Sequence, residues 1–276
     1  MKKEKKKVGY YVLLWVVAVL FFLPVLWIIL SAFKTKMEIL AWPPKFFFVP
    51  TLDNFRDLFS RRIFITALTN SIVISLSAMV IAIMVSFLAA YAFSRLKPKL
   101  TGFMMFMLLS IRMVPGAATV VPMFMMYTAL GWKSTHFGII MFYAMFSVPF
   151  SVWILKGFLD GVSTKFDETA LVNGAGHLNT MFRVILPQVK AGLVAAFIFN
   201  IIFVWNEFLF GFILGGNKVQ TLPVALATET FTSSGMDWPY LASMSVINLV
   251  PLLILLFFFQ KYLLVGMTFG TVRNEI

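Results

Sequence analysis

The chain has 276 residues, of which 61% are hydrophobic and only 12% are charged, and it contains no cysteine. Soluble domains carry about 25% charged residues, so this composition is typical of a protein that resides in a lipid bilayer. The net charge of +12 does not indicate nucleic-acid binding, because the basic residues lie in short connections between apolar runs rather than on one continuous face.

Six apolar runs are each long enough to cross the hydrocarbon core of a bilayer, which needs about 20 residues of helix. The first follows the basic start MKKEKKK and is longer than the core of a cleaved signal peptide, so we interpret it as an uncleaved signal anchor. The third is interrupted by Arg112 and by a Val-Pro-Gly sequence. The predicted spans are Tyr10–Phe33, Ala67–Phe93, Thr101–Met125, Phe137–Gly157, Val189–Leu214 and Tyr240–Leu264.

Lysine and arginine residues are distributed unequally between the two sides that these spans define. With a cytoplasmic N-terminus, fourteen of them fall in cytoplasmic segments and eight in outer segments. The positive-inside rule therefore favours cytoplasmic N- and C-termini. We predict a single domain over residues 1–276, with cytoplasmic segments 1–9, 158–188 and 265–276 and outer loops 34–66 and 215–239.

The two long outer loops differ in composition. Residues 34–66 contain a proline cluster and then DNFRDLF, which predicts a short amphipathic helix with Phe55, Leu58 and Phe59 on one face. Such a helix can lie at the membrane surface. Residues 215–239 are rich in glycine, serine and threonine, and we interpret them as a flexible exposed loop.

The longest cytoplasmic connection contains DETALVNGAGHLNTMFRVILPQ, Asp167–Gln188, which is too polar to enter a bilayer. Thr164, with an aspartate three residues later, predicts the start of a helix. Gly174 and Gly176 permit a left-handed bend, and Pro187 begins or kinks a later helix. A helix–turn–helix with small residues at its bend indicates a docking element for another protein.

The spacing within this segment is similar to that of a known motif. Glu168-x-Ala170-x3-Gly174, followed by Leu186-Pro187, resembles the EAA loop of ABC-importer membrane subunits. In that family the loop forms the coupling helices that bind in a cleft of the ATPase subunit.

Three positions depart mildly from the family pattern. Thr169 and Asn173 stand where alanine and aspartate are usual, and Val184 stands where isoleucine is usual. These changes leave the geometry intact and bear on which ATPase is preferred. The resemblance also covers nearly the whole chain, since SAFKT, TLDNFRDLF, RMVP, WNEFLF, QTLPVAL and QKYLLVGMTFGTV occur in the order expected for carbohydrate-importer permeases similar to the smaller membrane subunit of the maltose transporter.

This resemblance implies an all-α fold with six membrane helices, the type I ABC-importer transmembrane domain. It implies a homologous second permease subunit, two copies of an ABC ATPase, and an extracytoplasmic solute-binding protein that delivers a sugar, polyol or sugar derivative. The complex would reside in a bacterial or archaeal plasma membrane. The residues expected to couple to the ATPase are Glu168, Ala170, Asn173, Gly174, Leu186 and Pro187.

The chain itself is predicted to be a non-catalytic transport subunit without a bound cofactor. Its sequence contains no G-x4-G-K-[ST] phosphate loop, so ATP and magnesium are expected in the partner ATPase. The two histidines, His136 and His177, lie in different connections on opposite predicted sides, which excludes a shared metal site.

Charged residues within membrane spans are costly and usually functional or paired. Arg112 and Glu207 are the two candidates, with Asn206 and Asn248 as polar neighbours. Glu207 is interpreted either as a pathway residue or as a structural hydrogen-bond node. Arg112 either pairs directly with Glu207 or extends toward the outer surface.

Two other classes of protein fit the sequence less well than an importer subunit. An ion-coupled secondary transporter or channel would leave the EAA-like segment unexplained and usually shows internal repeats, none of which is evident. An intramembrane enzyme would need a motif such as H-E-x-x-H or a base beside a nucleophile, and the sequence has neither.

Overall fold

The computed structural model describes residues 2–229, 231–232 and 235–268, and within them the chain is mostly helical. One short hairpin pairs strands β1 and β2 antiparallel. The elements in chain order are α1 (Lys2–Ala32), α2 (Lys36–Ile39), α3 (Asp53–Ser60), α4 (Arg62–Tyr91), the π-helical segment π1 (Ala92–Leu96), α5 (Thr101–Met113), α6 (Gly116–Ala129), α7 (His136–Asp160), α8 (Lys165–Val172), α9 (His177–Asn179), the π-helical segment π2 (Thr180–Ile185), α10 (Leu186–Gln188), α11 (Lys190–Trp205), α12 (Leu209–Gly215), α13 (Leu222–Thr228), β1 (Phe231–Thr232), β2 (Gly235–Met236) and α14 (Trp238–Thr268).

The chain divides into two compact units. The first comprises residues 1–65 and 225–251, and the second comprises residues 66–224 and 252–276. The polar hairpin, which we define as residues 165–188, belongs to the second unit. The interpretation of residues 1–276 as one transmembrane domain stays a prediction.

Four helices are long and apolar enough to cross a membrane, and they overlap the predicted first, second, fourth and sixth spans. The four are Gly9–Ala32, Arg62–Leu96, His136–Asp160 and Trp238–Lys261. Two sharply bent helix pairs bring the number of candidate spans to six if each pair is counted as one. The helical, membrane-spanning character is therefore confirmed, whereas the count of six and the sidedness of the termini stay predictions.

The predicted third span, Thr101–Met125, is not one straight helix. Its two parts, α5 and α6, meet at an angle of 94°. Val114 is extended, with ψ of 124°, because a residue that precedes proline is disfavoured in the helical conformation, and Pro115 follows with φ of −58°. The Val-Pro-Gly sequence thus produces a sharp bend two residues after Arg112.

The predicted fifth span, Val189–Leu214, also differs from a continuous helix. A bend of 76° separates the helical segment that ends with α10 from α11. Further along, α11 ends at Trp205 and α12 begins only at Leu209. The second interruption contains Glu207, whose side chain replaces the helical hydrogen bonds that are lost there.

The larger hydrophobic cluster of the second unit joins α4, α6, α7, α11 and α12. Ala78 and Ala82 of α4 and Ala144 of α7 are buried in it, and such small residues let membrane helices approach closely. Phe142 and Phe210 meet at its centre, with their ring centroids 4.3 Å apart. This packing holds α12 against α7 on the far side of the helix break.

A second cluster packs the polar hairpin against the ends of α4 and α7. Met181 and Ile185 of π2 are buried together with Leu159 of α7. Nearby, α11 passes so close to α7 that a Cβ atom on Gly192 would lie 2.5 Å from the ring of Phe158. The hairpin is therefore part of the hydrophobic core rather than a loose connection.

In the first unit, α3 packs against the C-terminal end of α1. The amide of Asn54 donates to the carbonyls of Ala32 and Lys34, both over 2.8 Å. Leu58 is fully buried, whereas Phe59 remains exposed. The predicted helix is confirmed, but its apolar face is only partly covered: Leu58 lies on the same side as Asn54, whereas Phe59 lies at the uncovered edge.

The described part of residues 215–239 contains regular structure, in contrast to the predicted flexible loop. Within them α13 forms a helix, and Leu222 at its start is fully buried. Asn70 donates to the carbonyl of Gln220 over 2.9 Å, and the hydroxyl of Ser71 accepts from the N–H of Leu222. Polar side chains of α4 thus form hydrogen bonds with backbone groups that the sequence predicted to be exposed to solvent.

Candidate functional site

The polar hairpin consists of α8, a bend, and then α9, π2 and α10. The predicted helix–turn–helix is therefore confirmed. Thr164 directly precedes α8, but its φ of −61° is helical and its side chain makes no capping hydrogen bond within the part of the chain that the structure describes. The helix starts where predicted without the predicted side-chain cap, because Thr164 itself has helical backbone angles, whereas a capping residue is normally extended.

Gly174 forms the bend of the polar hairpin. Its φ of +84° lies in the left-handed region, where a residue with a Cβ atom is strained by about 1–2 kcal/mol. The N–H of Ala175 donates to the carbonyl of Ala170 over 3.0 Å, which closes the turn. Gly176 is extended instead, with φ of −71°, so only one of the two glycines adopts the predicted left-handed conformation.

Most of the predicted coupling residues lie on the surface of the hairpin. Within the described residues the carboxylate of Glu168 accepts no hydrogen bond. In the same hairpin, the apolar side chains of Val172 and Leu178 are 88% and 70% exposed. An acid among uncovered apolar side chains is typical of a protein-binding surface. The exposed residues of the predicted set are Glu168, Asn173, Gly174 and Pro187, and the half-buried ones are Ala170 and Leu186.

Asp167, the neighbour of Glu168, is buried and connects the hairpin to the end of α4. Its Oδ2 accepts from Nε of Arg95 over 2.9 Å. Its Oδ1 accepts from the hydroxyl of Tyr91, also over 2.9 Å. Both carboxylate oxygens are thus used, and both partners belong to the segment where α4 continues into π1.

Arg95 also contacts the end of α7. Its Nη1 and Nη2 donate to the carbonyls of Leu159 and Val162, each over 3.0 Å. Beside it, the hydroxyl of Ser94 donates to Asp160 over 2.7 Å. These bonds satisfy carbonyls at a helix C-terminus, where a cation is also favoured by the helix dipole.

Neither Arg95 nor Asp167 is among the site residues that the sequence predicts. They are 72 positions apart, so no local pattern links them. One signal was available, because adjacent residues of a helix point about 100° apart. Asp167 and Glu168 therefore cannot both point directly into solvent, so one of them is expected to be buried. A buried acid requires a cationic partner elsewhere in the chain.

Glu207 lies half-buried in the break between α11 and α12. Its Oε2 accepts from the hydroxyl of Tyr143 over 2.8 Å and from the N–H of Gly211 over 3.0 Å. Its Oε1 accepts from the N–H of Phe210 over 3.0 Å. The carboxylate thus caps the start of α12 and links it to α7, which is the geometry of a structural node.

Arg112 lies near the end of α5 and does not reach Glu207. Its guanidinium carbon lies over the rings of three phenylalanines, at 4.6 Å from the centroid of Phe146, 5.4 Å from Phe150 and 5.0 Å from Phe203. Within the described residues it forms no ion pair, and its buried Nη1 has no hydrogen-bond partner. Cation–π contacts therefore take the place of the direct pair with Glu207.

The asparagines of the apolar helices have different surroundings. Asn206 is exposed and donates to the carbonyl of Ile202 one turn earlier, over 2.8 Å. Asn248 is half-buried in α14, within the first unit. Asn200 is buried and donates to the hydroxyl of Ser151 over 2.9 Å, which joins α11 to α7. Asn200, which the sequence also places among the polar residues of the spans, thus has a clear architectural role.

A sequence profile of the family described as binding-protein-dependent transport system inner membrane component matches residues 82–268. This stretch is more than half of the chain and includes the polar hairpin, Arg112 and Glu207. The chain belongs to this family. It is a permease subunit of the ABC-transporter type and a multi-pass protein of the inner membrane.

Named relatives confirm the resemblance to carbohydrate-importer permeases. The trehalose transport system permease protein SugB of Mycobacterium tuberculosis is 32% identical over 258 residues, 91% of this chain and 92% of the relative. The trehalose/maltose transport system permease protein MalG of Thermococcus litoralis is 29% identical over 261 residues, 94% of each chain. In a bacterial ABC transporter that imports the acidic polysaccharide alginate, one chain matches with a TM-score of 0.79 at 18% identity, over 92% of this chain and 95% of that one, which shows a shared fold.

Proposed function

We propose that this chain is the membrane-spanning permease subunit of a binding-protein-dependent ABC importer that carries a carbohydrate, polyol or sugar derivative into the cytoplasm. The observation that carries this proposal is the family match over residues 82–268, which contains the uncovered surface of the polar hairpin. The trehalose and maltose permeases among the relatives support a sugar as the class of solute. Two copies of an ABC ATPase, which hold ATP and magnesium, supply the energy, and this chain takes no part in hydrolysis.

The polar hairpin is the part of the chain that binds the ATPase. Glu168 offers an uncompensated negative charge, Gly174 sets the bend, and Asn173 ends α8, with its amide donating to the carbonyl of Thr169 over 2.9 Å. The remaining residues of the set give the hairpin its shape. They are Ala170, which closes the turn, Leu186, which packs against the core, and Pro187, which lies in the first turn of α10.

The charged groups of the apolar helices shape the route of the solute. The three hydrogen bonds of Glu207 support its assignment as the node that fixes the broken fifth span. Arg112, Asn206 and Asn248 are the further candidates for residues on the translocation pathway. Of these, Arg112 has the strongest claim, because within the described residues its buried Nη1 lacks an acceptor.

The assembly follows from the positive charges and from the family. We assign both termini to the cytoplasm of a bacterial or archaeal cell, which places the hairpin on the side where ATP is available. A homologous second permease subunit completes the pathway. An extracytoplasmic solute-binding protein delivers the sugar at the outer loops, including residues 215–239.

The test is to purify the tagged protein from its native membrane in mild detergent and to identify what is bound to it. The proposal expects a second permease and an ATPase, with ATP hydrolysis stimulated by a binding protein loaded with a sugar. The solute whose binding protein stimulates ATP hydrolysis is then identified as the transported substrate. Recovery of the chain alone, with solute transport in liposomes driven by an ion gradient, would instead establish the secondary-transporter alternative.

A further inference from the structure

A buried ion pair connects the polar hairpin to two long helices. We propose that Arg95 and Asp167 are positioning residues that transmit movement of the hairpin to α4 and α7, so that the three elements move as one body. This inference rests on the proposed function, because it requires an ATPase that displaces the hairpin. It adds a specific mechanical connection to the docking role of the EAA-like segment.

Arg95 contacts two elements at once. Its Nε donates to Asp167 over 2.9 Å, while Nη1 and Nη2 donate to the carbonyls of Leu159 and Val162 at the end of α7, each over 3.0 Å. The side chain of Arg95 is only 8% exposed, so water competes little for these bonds. Because the guanidinium is planar and rigid, its three bonding directions are fixed relative to one another.

Asp167 accepts hydrogen bonds from two residues at the end of α4 and its continuation π1. Tyr91 is the last residue of α4, and Arg95 lies four residues later in π1. Each donates to a different oxygen of the carboxylate. A shift of α8 along or across this helix end therefore breaks at least one bond unless α4 moves with it.

The adjacent residue Glu168 lies on the proposed docking surface. Its side chain is exposed, whereas that of Asp167 is 12% exposed. A force applied at Glu168 reaches Asp167 through one peptide unit and then passes to α4 and α7. The π-helical geometry of π1 fits this role, because such segments are frequent at functional sites in helices.

A neighbouring ion pair provides a matched control. Nζ of Lys156 lies 2.7 Å from Asp160, with side chains 22% and 29% exposed. Both residues belong to α7, four positions apart, so the pair does not include any residue of the polar hairpin. Loss of the lysine by Lys156→Gln also breaks an ion pair, with a charge change of the same size and opposite sign, but it leaves the connection through Asp167 intact.

The experiment uses the complete complex with its second permease and ATPase, reconstituted in liposomes, with Asp167→Asn, Asp167→Glu and Lys156→Gln. The readouts are complex yield, ATP hydrolysis, and solute transported per ATP. Asp167→Asn is isosteric and leaves Arg95 without its counter-charge, so we expect normal yield and a fall in solute per ATP of at least about fivefold. Asp167→Glu should restore most of this ratio, and Lys156→Gln should match the unmodified complex.

A distance measurement separates transmission of movement from simple stability. The chain has no native cysteine, so Lys99→Cys and His177→Cys accept spin labels at two exposed positions. We expect a single narrow distance distribution with and without ATP in the otherwise unmodified chain. In the Asp167→Asn background the distribution should broaden, because the hairpin then moves independently of the end of α4.

Two results would overturn the inference. One is an unchanged solute-per-ATP ratio, or an unchanged distance distribution, in Asp167→Asn. The other is loss of complex assembly in Asp167→Asn, which would reduce the pair to a structural role. A failure of the proposed function is distinguishable, because the unmodified chain would then lack an ATPase before any variant is made.

Discussion

Two glutamates, one in a break between helices and one in the first turn of a helix, are satisfied in opposite ways. In the break between α11 and α12, both oxygens of Glu207 accept hydrogen bonds from the chain itself. In α8, next to the bend of the polar hairpin, Glu168 accepts none from the described residues, and Val172 is 88% exposed. The carboxylate of Glu207 is satisfied within the chain, whereas that of Glu168 is left without a partner among the described residues. A polar residue in an apolar protein therefore indicates a binding surface only when its own chain leaves it unsatisfied.

The largest effect is expected from Glu207→Leu. This change leaves three donors without an acceptor, namely the hydroxyl of Tyr143 and the N–H groups of Phe210 and Gly211. Each unsatisfied buried donor costs about 1–3 kcal/mol, so the free energy of unfolding should fall by about 3 kcal/mol or more. The thermal midpoint of the purified protein in detergent measures this. The control Asn206→Leu removes only a bond within one helix, and equal midpoints for the two variants would contradict the comparison.

Charge reversal by Glu168→Arg should act on binding and not on stability. The carboxylate has no partner among the described residues, so the thermal midpoint should not change. Affinity for the ATPase should fall at least about tenfold, which corresponds to about 1.4 kcal/mol. Titration of the purified ATPase against the permease pair in nanodiscs measures it. Lys165→Gln, an exposed change at the start of α8, is the control, and undiminished binding by Glu168→Arg would remove Glu168 from the docking surface.

A smaller effect is expected from Gly174→Val, because the change concerns backbone conformation alone. No atom lies within 4 Å of a Cβ atom built on Gly174, so there is no steric clash within the described residues. The left-handed φ of +84° strains a β-branched residue by about 1–2 kcal/mol, whereas asparagine tolerates it. ATPase binding should therefore weaken in Gly174→Val and remain close to normal in Gly174→Asn. Equal weakening in both would indicate that side-chain size at the docking surface, rather than the bend, is decisive.

Only a small effect on stability is expected from Arg112→Met. Within the described residues this arginine forms no ion pair, and its contacts are with the faces of phenylalanine rings, which methionine also packs against. The free energy of unfolding should change by less than about 1 kcal/mol. Transport measured beside it tests the pathway assignment, because a loss of transport at unchanged stability requires Arg112 to meet the solute or the partner subunit.

The long helices could be predicted from the sequence because nearly all of their residues are apolar, so the signal is the same along the whole segment. The predicted spans Tyr10–Phe33 and Phe137–Gly157 agree closely with the candidate membrane spans Gly9–Ala32 and His136–Asp160 for this reason. The left-handed Gly174 was also predictable, since the requirement is local to one residue. Such features need no knowledge of the rest of the fold.

The broken fifth span and the pair of Arg95 with Asp167 were not predictable in the same way. The break at Glu207 is stabilised by Tyr143, which is 64 positions away, and Asp167 meets Arg95 across 72. A hydropathy prediction averages over a window of residues. The two polar residues Asn206 and Glu207 lower that average too little to reveal that α11 ends there. Only the packing of α4, α7 and α11 brings these residues together.

The buried start of α13 has a consequence for the exchange of parts between related permeases. Asn70 and Ser71 of α4 bond the carbonyl of Gln220 and the N–H of Leu222, so this part of the connection is fixed to a helix that precedes it by about 150 residues. A chimera that brings in another α4 without Asn70 and Ser71 would leave the carbonyl of Gln220 and the N–H of Leu222 without these partners. Junctions between homologues should therefore be placed at the strands β1 and β2, so that α4 and residues 215–228 come from the same parent.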